Sequence, residues 1–223
     1  MKKINFKRTN DDLTEIVFIL DKSGSMSGYE EDAIGGFNST LEEQREREGR
    51  ALVTTVLFST DKTLLHDRLP IERVGRMTRA SYRVGGCTAL LDTVGDTIRH
   101  ICSIHRYARR EDLPGRTVFI IMTDGMENAS RRFDQKKVSE MIRRCRERWD
   151  WEFIFLGANI DAVGVAEEIG IRGERAANFS RDCEGMRASY EVMSDAISAI
   201  RRRESLDDVD WCRKIKDDNS RRG

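Results

Sequence analysis

Short apolar runs recur along the chain and mark the predicted strands. Three of them, at residues 16–20, 118–122 and 153–156, contain only Ile, Val, Phe, Leu and Met. Uninterrupted runs of this length are typical of parallel strands that are buried on both faces of a sheet. Two more strands are predicted at residues 51–58 and 62–69, and the short link between them favours an antiparallel hairpin at one edge.

Between the strands, apolar residues recur every three or four positions, which is the pattern of a helix with one buried face. Four such stripes are present: Ala33, Phe37 and Leu41; Leu90, Val94, Ile98, Ile101 and His105; Val138, Met141, Ile142, Cys145 and Trp149; and Met186, Tyr190, Met193, Ile197 and Ile200. A shorter helix is predicted within residues 161–169. This alternation predicts an α/β fold with a doubly wound, mostly parallel sheet, one antiparallel edge strand and helices on both faces.

Composition and charge narrow the classes of function. The chain of 223 residues is long enough for one substantial core, with 39% hydrophobic and 35% charged residues. Lys and Arg balance Asp and Glu, so no attraction to nucleic acid or to an anionic membrane is expected. The longest apolar run, at residues 16–20, is too short to span a bilayer. The basic runs at residues 143–146 and 201–203 lie among acidic residues, which favours solvated helix faces.

The N-terminus and the cysteines indicate a cytoplasmic protein. No apolar run follows the basic start, so no signal peptide is predicted. The five cysteines are scattered and include no Cys-x-x-Cys pair, which suits free thiols in a reducing compartment. We predict an N-terminal extension at residues 1–13, one domain at residues 14–203 and a charged tail at residues 204–223. The tail contains Trp211, and the sequence leaves open whether it is mobile or docks as a short helix.

Five oxygen-bearing side chains stand where the predicted elements meet. Asp21, Ser23 and Ser25 directly follow the first central strand. Thr88 stands where the second helix begins, and Asp124 follows the next central strand after one residue. In a doubly wound sheet, ligands bind outside the carboxyl ends of the strands, where the chain order reverses. We therefore expect the three loops to meet at one edge of the sheet.

The residue types at these positions suit a single hard divalent cation. Mg²⁺ prefers near-octahedral oxygen coordination, takes few carboxylates and keeps water ligands. Ser23, Ser25 and Thr88 offer neutral hydroxyls, whereas Asp21 and Asp124 offer negative charge, directly or through a bound water. Each residue alone also suits an ordinary turn or a helix cap. The ordered set favours a Mg²⁺ site, with Mn²⁺ or Ca²⁺ as substitutes.

The same residues resemble a known metal-binding motif. The run Asp21-Lys22-Ser23-Gly24-Ser25, followed by Thr88 and then Asp124-Gly125, is similar to the metal-ion-dependent adhesion site (MIDAS) of von Willebrand factor A (vWA) domains. The resemblance covers most of the chain by the order of motifs and elements. Residues 124–130 and 157–161 also look like stand-alone bacterial members of this family.

The resemblance implies a Rossmann-like vWA fold and a particular mechanism. In the family, mostly neutral ligands leave the ion under-neutralised, and the ion takes its last ligand, a carboxylate, from a partner protein. Placing Asp124 behind a bound water would preserve the positive field at the open position. The resemblance thus implies a non-enzymatic, magnesium-dependent protein-interaction module, serving as an adaptor in the bacterial cytoplasm.

An enzyme is the main alternative, namely a metal-assisted phosphatase or nucleotide hydrolase, since an open Mg²⁺ position can polarise a phosphoryl oxygen. The sequence disfavours it, because it contains no Gly-x-x-x-x-Gly-Lys-Ser/Thr phosphate loop. Met26 stands where a Gly-x-Ser-x-Gly nucleophile elbow needs serine. Ser23 stands where haloacid-dehalogenase-type phosphatases have a second aspartate. A structural subunit is a third alternative, which the sequence does not test.

Two smaller groups of residues allow alternative interpretations. His100, Cys102 and His105 are close in sequence and suggest zinc, but Cys102 and His105 fall on an apolar helical stripe, so packing is favoured. Glu127 and Asn128 stand in the third loop, where they either support the metal site from behind or are simply exposed.

Overall fold

A computed structural model describes residues 10–222. In this part of the chain one sheet is formed by β1 (Asn10–Asp21), β2 (Arg50–Phe58), β3 (Lys62–Pro70), β4 (Pro114–Thr123), β5 (Glu152–Gly157) and β6 (Ala176–Asn178). The α-helices are α1 (Glu30–Arg45), α2 (Leu90–Tyr107), α3 (Gln135–Trp149), α4 (Ala162–Glu168), α5 (Cys183–Arg201) and α6 (Arg213–Arg222). The spatial order of the strands is β3-β2-β1-β4-β5-β6.

The pairing of the strands confirms the predicted fold class. β1 pairs in parallel with β2 and with β4, β4 with β5, and β5 with β6, whereas β3 runs antiparallel to β2 at one edge. The sheet is therefore doubly wound and mostly parallel, with one antiparallel edge strand. The strand β6 was not predicted, because its sequence Ala-Ala-Asn is too short to show a strand pattern.

Alternation along β1 divides the core into two layers. Ile16, Phe18 and Leu20 pack in the layer that contains residues of α1 and α5, and Val17 and Ile19 in the layer of α2 and α3. Each of these five side chains is at most 2% exposed. Successive side chains of a strand point to opposite faces, so an uninterrupted apolar run is what a strand between two helical layers requires.

The four predicted apolar stripes all lie on helices, namely α1, α2, α3 and α5, and the shorter predicted helix is α4. Aspartates define the start of three helices: the carboxylates of Asp134, Asp161 and Asp182 accept backbone N–H groups at the first turns of α3, α4 and α5. Between residues 10 and 222, none of the helices combines the length and apolar character needed to cross a membrane.

The C-terminal segment docks on the domain. Trp211 is 6% exposed, and its Nε1–H donates to Glu174 O at 3.1 Å. Ile215 of α6 is buried in the same core layer as α5. Of the two alternatives that the sequence left open for this segment, the docked helix is the one observed. Of the predicted N-terminal extension, residues 1–9 lie outside the described residues, and the predicted domain bounds stay a prediction.

The strand order creates a crevice between β1 and β4. From β1 the chain moves to β2 and β3 on one side, and it then returns to β4 on the other side. At this switch point the carboxyl ends of two adjacent parallel strands diverge into loops, which is where ligands bind in open α/β sheets. Asp21 is the last residue of β1 and Thr123 is the last residue of β4.

Candidate metal centre

The first loop of the site follows β1 and is held by backbone hydrogen bonds on two sides. Lys22 N–H donates to Phe58 O at 2.7 Å, which ties the loop to the end of β2. Gly24 N–H donates to Gly86 O at 3.0 Å, and Gly85 N–H donates to Lys22 O at 2.9 Å. Gly85 and Gly86 have φ values of 154° and 83°, which glycine adopts without strain. The first loop is therefore joined to the segment that precedes α2.

Asp21 is a buried carboxylate of the crevice, with 2% of the residue exposed. Its Oδ1 accepts Ser23 N–H at 2.7 Å, and its Oδ2 accepts the Thr123 hydroxyl at 2.6 Å. Its backbone oxygen accepts the hydroxyl of the buried Tyr82. Burial raises the pKa of Asp21 above its ordinary value, the hydrogen bonds from Thr123 and Ser23 act against this, and the nearby Asp124 adds to it. The carboxylate is thus oriented before any ligand arrives.

The hydroxyls and the second carboxylate converge beside Asp21. Ser23 Oγ lies 2.9 Å from Ser25 Oγ, and Ser25 Oγ donates in turn to Asp124 Oδ1. A Cβ atom added to Gly125 would lie 3.5 Å from Ser25 Oγ and 3.6 Å from Thr88 Oγ1. The absence of a side chain at Gly125 therefore leaves a small space that two hydroxyls border. The structure brings all five predicted site residues to this edge of the sheet.

The third loop is fastened to the second loop. Thr88 N–H donates to Asn128 Oδ1 at 2.8 Å, and Thr88 O accepts Asn128 N–H and Ala129 N–H at 3.0 and 3.2 Å. Glu127 Oε2 accepts Leu91 N–H at 2.8 Å at the start of α2, where a helix favours negative charge. Glu127 and Asn128 thus fasten the third loop to the start of α2. Glu127 is half-buried and Asn128 is exposed, so their support of a metal site stays a prediction.

Asp92 fixes the far side of the third loop and was missed by sequence reasoning. Its carboxylate accepts the backbone N–H groups of Arg131, Arg132 and Phe133 at 2.9–3.0 Å. Burial acts to raise the pKa of Asp92, but these three amides and the Arg132 guanidinium outweigh it and lower the pKa below its ordinary value. The only sequence signal is an acidic residue in the first turn of a predicted helix, which is common.

One oxygen of the site carries no hydrogen bond. Asp124 is 3% exposed, and its Oδ2 is buried without a hydrogen-bond partner in the described part of the chain. Arg181 Nε lies 3.4 Å from Asp124 Oδ2 and forms an ion pair with it. Buried carboxylate oxygens are costly when unpaired, so this atom has capacity for a further cationic ligand.

The donor set fits a hard cation. It consists of two carboxylates and three hydroxyls, which are ligands that Mg²⁺ and Mn²⁺ prefer. Across residues 10–222, no three His, Cys, Asp or Glu side chains gather as a metal-binding group. The site therefore depends on the hydroxyls, which distinguishes it from sites built of Cys and His. A bound divalent ion would supply a positively charged, open coordination position at this edge.

The alternative zinc group on α2 does not form. His100 Nε2 lies 2.8 Å from Asp67 Oδ1, Cys102 Sγ lies 3.8 Å from Cys145 Sγ, and His105 Nε2 lies beside Glu15 Oε2. The three side chains thus turn to three different partners. For Cys102 and His105 this confirms the packing interpretation that the apolar stripe favoured.

Comparisons with solved structures place the fold among proteins of known architecture. The proximal thread matrix protein 1 (PTMP1) of the mussel byssus, in a structure described as having a zinc-occupied MIDAS motif, is 16% identical, with a TM-score of 0.54 over 85% of this chain and 47% of that chain. The PilB minor pilin of Streptococcus sanguinis is 10% identical, with a TM-score of 0.59 over 86% of this chain and 62% of that chain. These likenesses show the fold.

A third solved structure, a von Willebrand factor type A protein from Catenulispora acidiphila, is 14% identical, with a TM-score of 0.52 over 83% of this chain and 42% of that chain. This chain thus spans 42–62% of the length of the three solved chains. No curated protein matches it significantly. A family model described as "VWA domain containing CoxE-like protein" matches residues 2–149. Since that match covers more than half of the chain, the protein belongs to this family of vWA domain proteins.

Proposed function

We propose that this protein is a divalent-cation-dependent protein-interaction module. In this proposal Asp21, Ser23, Ser25, Thr88 and Asp124 hold the ion, directly or through water, and a carboxylate from a partner protein completes the coordination shell. The observation that carries the proposal is that the Ser25 and Thr88 hydroxyls, from two separate loops, border the space at Gly125 beside the buried Asp124 carboxylate, one oxygen of which accepts no hydrogen bond. The zinc-occupied MIDAS motif of PTMP1, a neighbour in fold, supports the assignment to a divalent cation.

Mg²⁺ is the proposed ion, with Mn²⁺ or Ca²⁺ as substitutes. Mg²⁺ requires short oxygen contacts, about 2.0–2.1 Å, and retains part of its hydration shell. Three of the five proposed ligands are neutral hydroxyls, so the ion keeps positive charge when one of the two carboxylates acts through water. That charge attracts an anionic group, and an acidic side chain of a protein is the proposed source.

The surroundings of the site suit a partner protein. Met126 directly follows Gly125 and is 69% exposed, so it offers flexible apolar contact area next to the proposed ion position. We further propose an adaptor role in the bacterial cytoplasm, with neither nucleic acid nor membrane as a partner. The balanced charge of the chain disfavours nucleic acid and anionic membranes as partners. Its five free cysteines suit the reducing cytoplasm.

The proposed role is non-enzymatic. The three histidines, which are the usual general acids and bases near neutral pH, are all engaged away from the site. His66 bonds to Thr55 on the edge hairpin, while His100 and His105 pair with Asp67 and Glu15. This favours binding over metal-assisted phosphatase or nucleotide hydrolase chemistry.

A capture experiment tests the proposed function. Immobilised protein is incubated with a lysate of the cells that encode it, in Mg²⁺ or in EDTA, and retained proteins are identified by mass spectrometry. Thr88→Val removes only the hydroxyl at a residue that is 3% exposed. Thr97→Val is the matched control, because the Thr97 hydroxyl donates to Thr93 O within α2, away from the site.

We expect one partner to be retained in Mg²⁺ by the native protein and by Thr97→Val, with retention reduced about tenfold or more by EDTA and by Thr88→Val. A partner that both EDTA and Thr88→Val leave bound would contradict a metal-dependent mode of binding.

A further inference from the structure

We propose that Arg181 is a second cationic group of the metal centre, which binds the partner's carboxylate beside the ion and weakens the binding of the ion itself. This inference rests on the proposed function and names a recognition residue for it. Arg181 lies in the segment between β6 and α5, and nothing in the sequence pattern associates it with the three loops of the site.

The side chain of Arg181 is held at the rim of the crevice by contacts on several sides. Its Nη2 donates to Ser25 O at 2.6 Å, and its Nε lies 3.4 Å from Asp124 Oδ2. Its guanidinium carbon stands 5.2 Å from the centre of the Tyr29 ring. The Tyr29 hydroxyl donates to Arg181 O at 2.9 Å, so the backbone is fixed as well. The guanidinium is therefore positioned by the fold and does not depend on a single surface ion pair.

The charge of Arg181 opposes that of an incoming metal ion. Asp124 Oδ2 is buried, and the guanidinium is the cation beside it. Arginine stays protonated at every accessible pH, so a divalent ion that approaches Asp124 meets a permanent positive charge. At distances of a few Å within a partly buried site, such repulsion reduces affinity measurably. Arg181 therefore lowers the affinity for Mg²⁺ relative to a neutral residue.

The same charge favours an anion at the open position. Asp21, Asp124 and Arg181 together carry one net negative charge, and a bound divalent ion converts this to one net positive charge. The Arg181 side chain is 36% exposed, so part of the guanidinium faces the solvent from which a partner arrives. Its planar set of N–H donors matches the two oxygens of a carboxylate. A carboxylate on the ion thus gains a second cationic contact.

These two effects have opposite signs, and this distinguishes the proposal from a structural role. A residue that merely maintained the loop would weaken both metal and carboxylate binding when replaced. For Arg181→Gln, which removes the charge and keeps a polar but shorter side chain, we expect metal binding to become tighter and carboxylate binding to become weaker. Arg181→Lys keeps the charge and is expected to bind the metal within about threefold of the native protein.

The test uses Mn²⁺ as the metal and acetate as the carboxylate. Free Mn²⁺ is measured by electron paramagnetic resonance during titration of the full chain, and acetate binding to the Mn²⁺-loaded protein is followed by the relaxation of water protons. Arg187→Gln is the matched control, because Arg187 lies on the exposed side of α5 and pairs with Glu191. Thermal unfolding of each ion-free variant checks that the fold is kept.

We expect Arg181→Gln to bind Mn²⁺ about tenfold more tightly and acetate about fivefold more weakly, with Arg187→Gln unchanged. If the native protein binds Mn²⁺ but Arg181→Gln shows equal or weaker metal affinity, or unchanged acetate affinity, the role of Arg181 is overturned. The proposed function is not affected by that result. Native protein that binds no Mn²⁺ would overturn the proposed function, and with it this inference.

Discussion

Asp21→Asn is expected to weaken Mg²⁺ binding about 100-fold. The substitution keeps the size of a side chain that is 2% exposed but removes its negative charge. It also disturbs the hydrogen bonds, since Asp21 accepts from both Ser23 N–H and the Thr123 hydroxyl and an amide has only one oxygen. Isothermal titration of the ion-free protein with Mg²⁺ measures the effect.

Asp195→Asn is the control for this titration. Asp195 lies on α5, pairs with Lys214 and has a half-exposed side chain, so it carries the same charge without belonging to the crevice. We expect this variant to bind Mg²⁺ like the native protein. Equal Mg²⁺ affinity in Asp21→Asn and in the native protein would remove Asp21 from the ion's coordination.

Gly36→Ala is expected to lower the free energy of unfolding by about 2 kcal/mol, although alanine is the better helix former. A Cβ atom at Gly36 would lie 2.2 Å from Cδ2 of the Tyr190 ring, which is 4% exposed. Cγ of the ring would lie only 2.5 Å away, so either the Tyr190 side chain has to turn or α5 has to move away from α1.

The neighbouring residue provides the control for Gly36. A Cβ atom at Gly35 has nothing within 4 Å, so Gly35→Ala is expected to raise the free energy of unfolding by about 0.5–1 kcal/mol through helix propensity alone. Urea denaturation of both variants measures the difference. Changes of the same sign and size in the two variants would contradict the close packing of α1 on α5.

Those elements of the fold that depend on a single physical requirement could be predicted from the sequence. The runs at residues 16–20 and 118–122 have to be apolar on both faces because helices cover both sides of the sheet, so they could be read without knowing their neighbours. The hairpin of β2 and β3 followed from a short link. The strand β6 could not be predicted, because its three residues are defined only by pairing with β5.

The candidate site was predictable as far as its residues share a local motif. Asp21, Ser23 and Ser25 stand in one loop at alternate positions. The order of this loop, Thr88 and Asp124 along the chain indicated that the three loops form one site. Tyr82 and Arg181 reach the site only through tertiary packing, Tyr82 by donating to Asp21 O and Arg181 by contacting Ser25 O. Neither position carries a periodicity or a motif, so a single sequence has no signal for them. The roles of the five residues as ligands stay a prediction.

The central claim is that oxygens from three separate loops surround one divalent cation. Crystals grown in saturating Mn²⁺ test it directly through anomalous scattering. We predict a single strong peak between the Ser23, Ser25 and Thr88 hydroxyls, about 2 Å from its direct oxygen ligands. No peak at this position under saturating Mn²⁺, with Asp124 Oδ2 still facing only Arg181, would contradict the account.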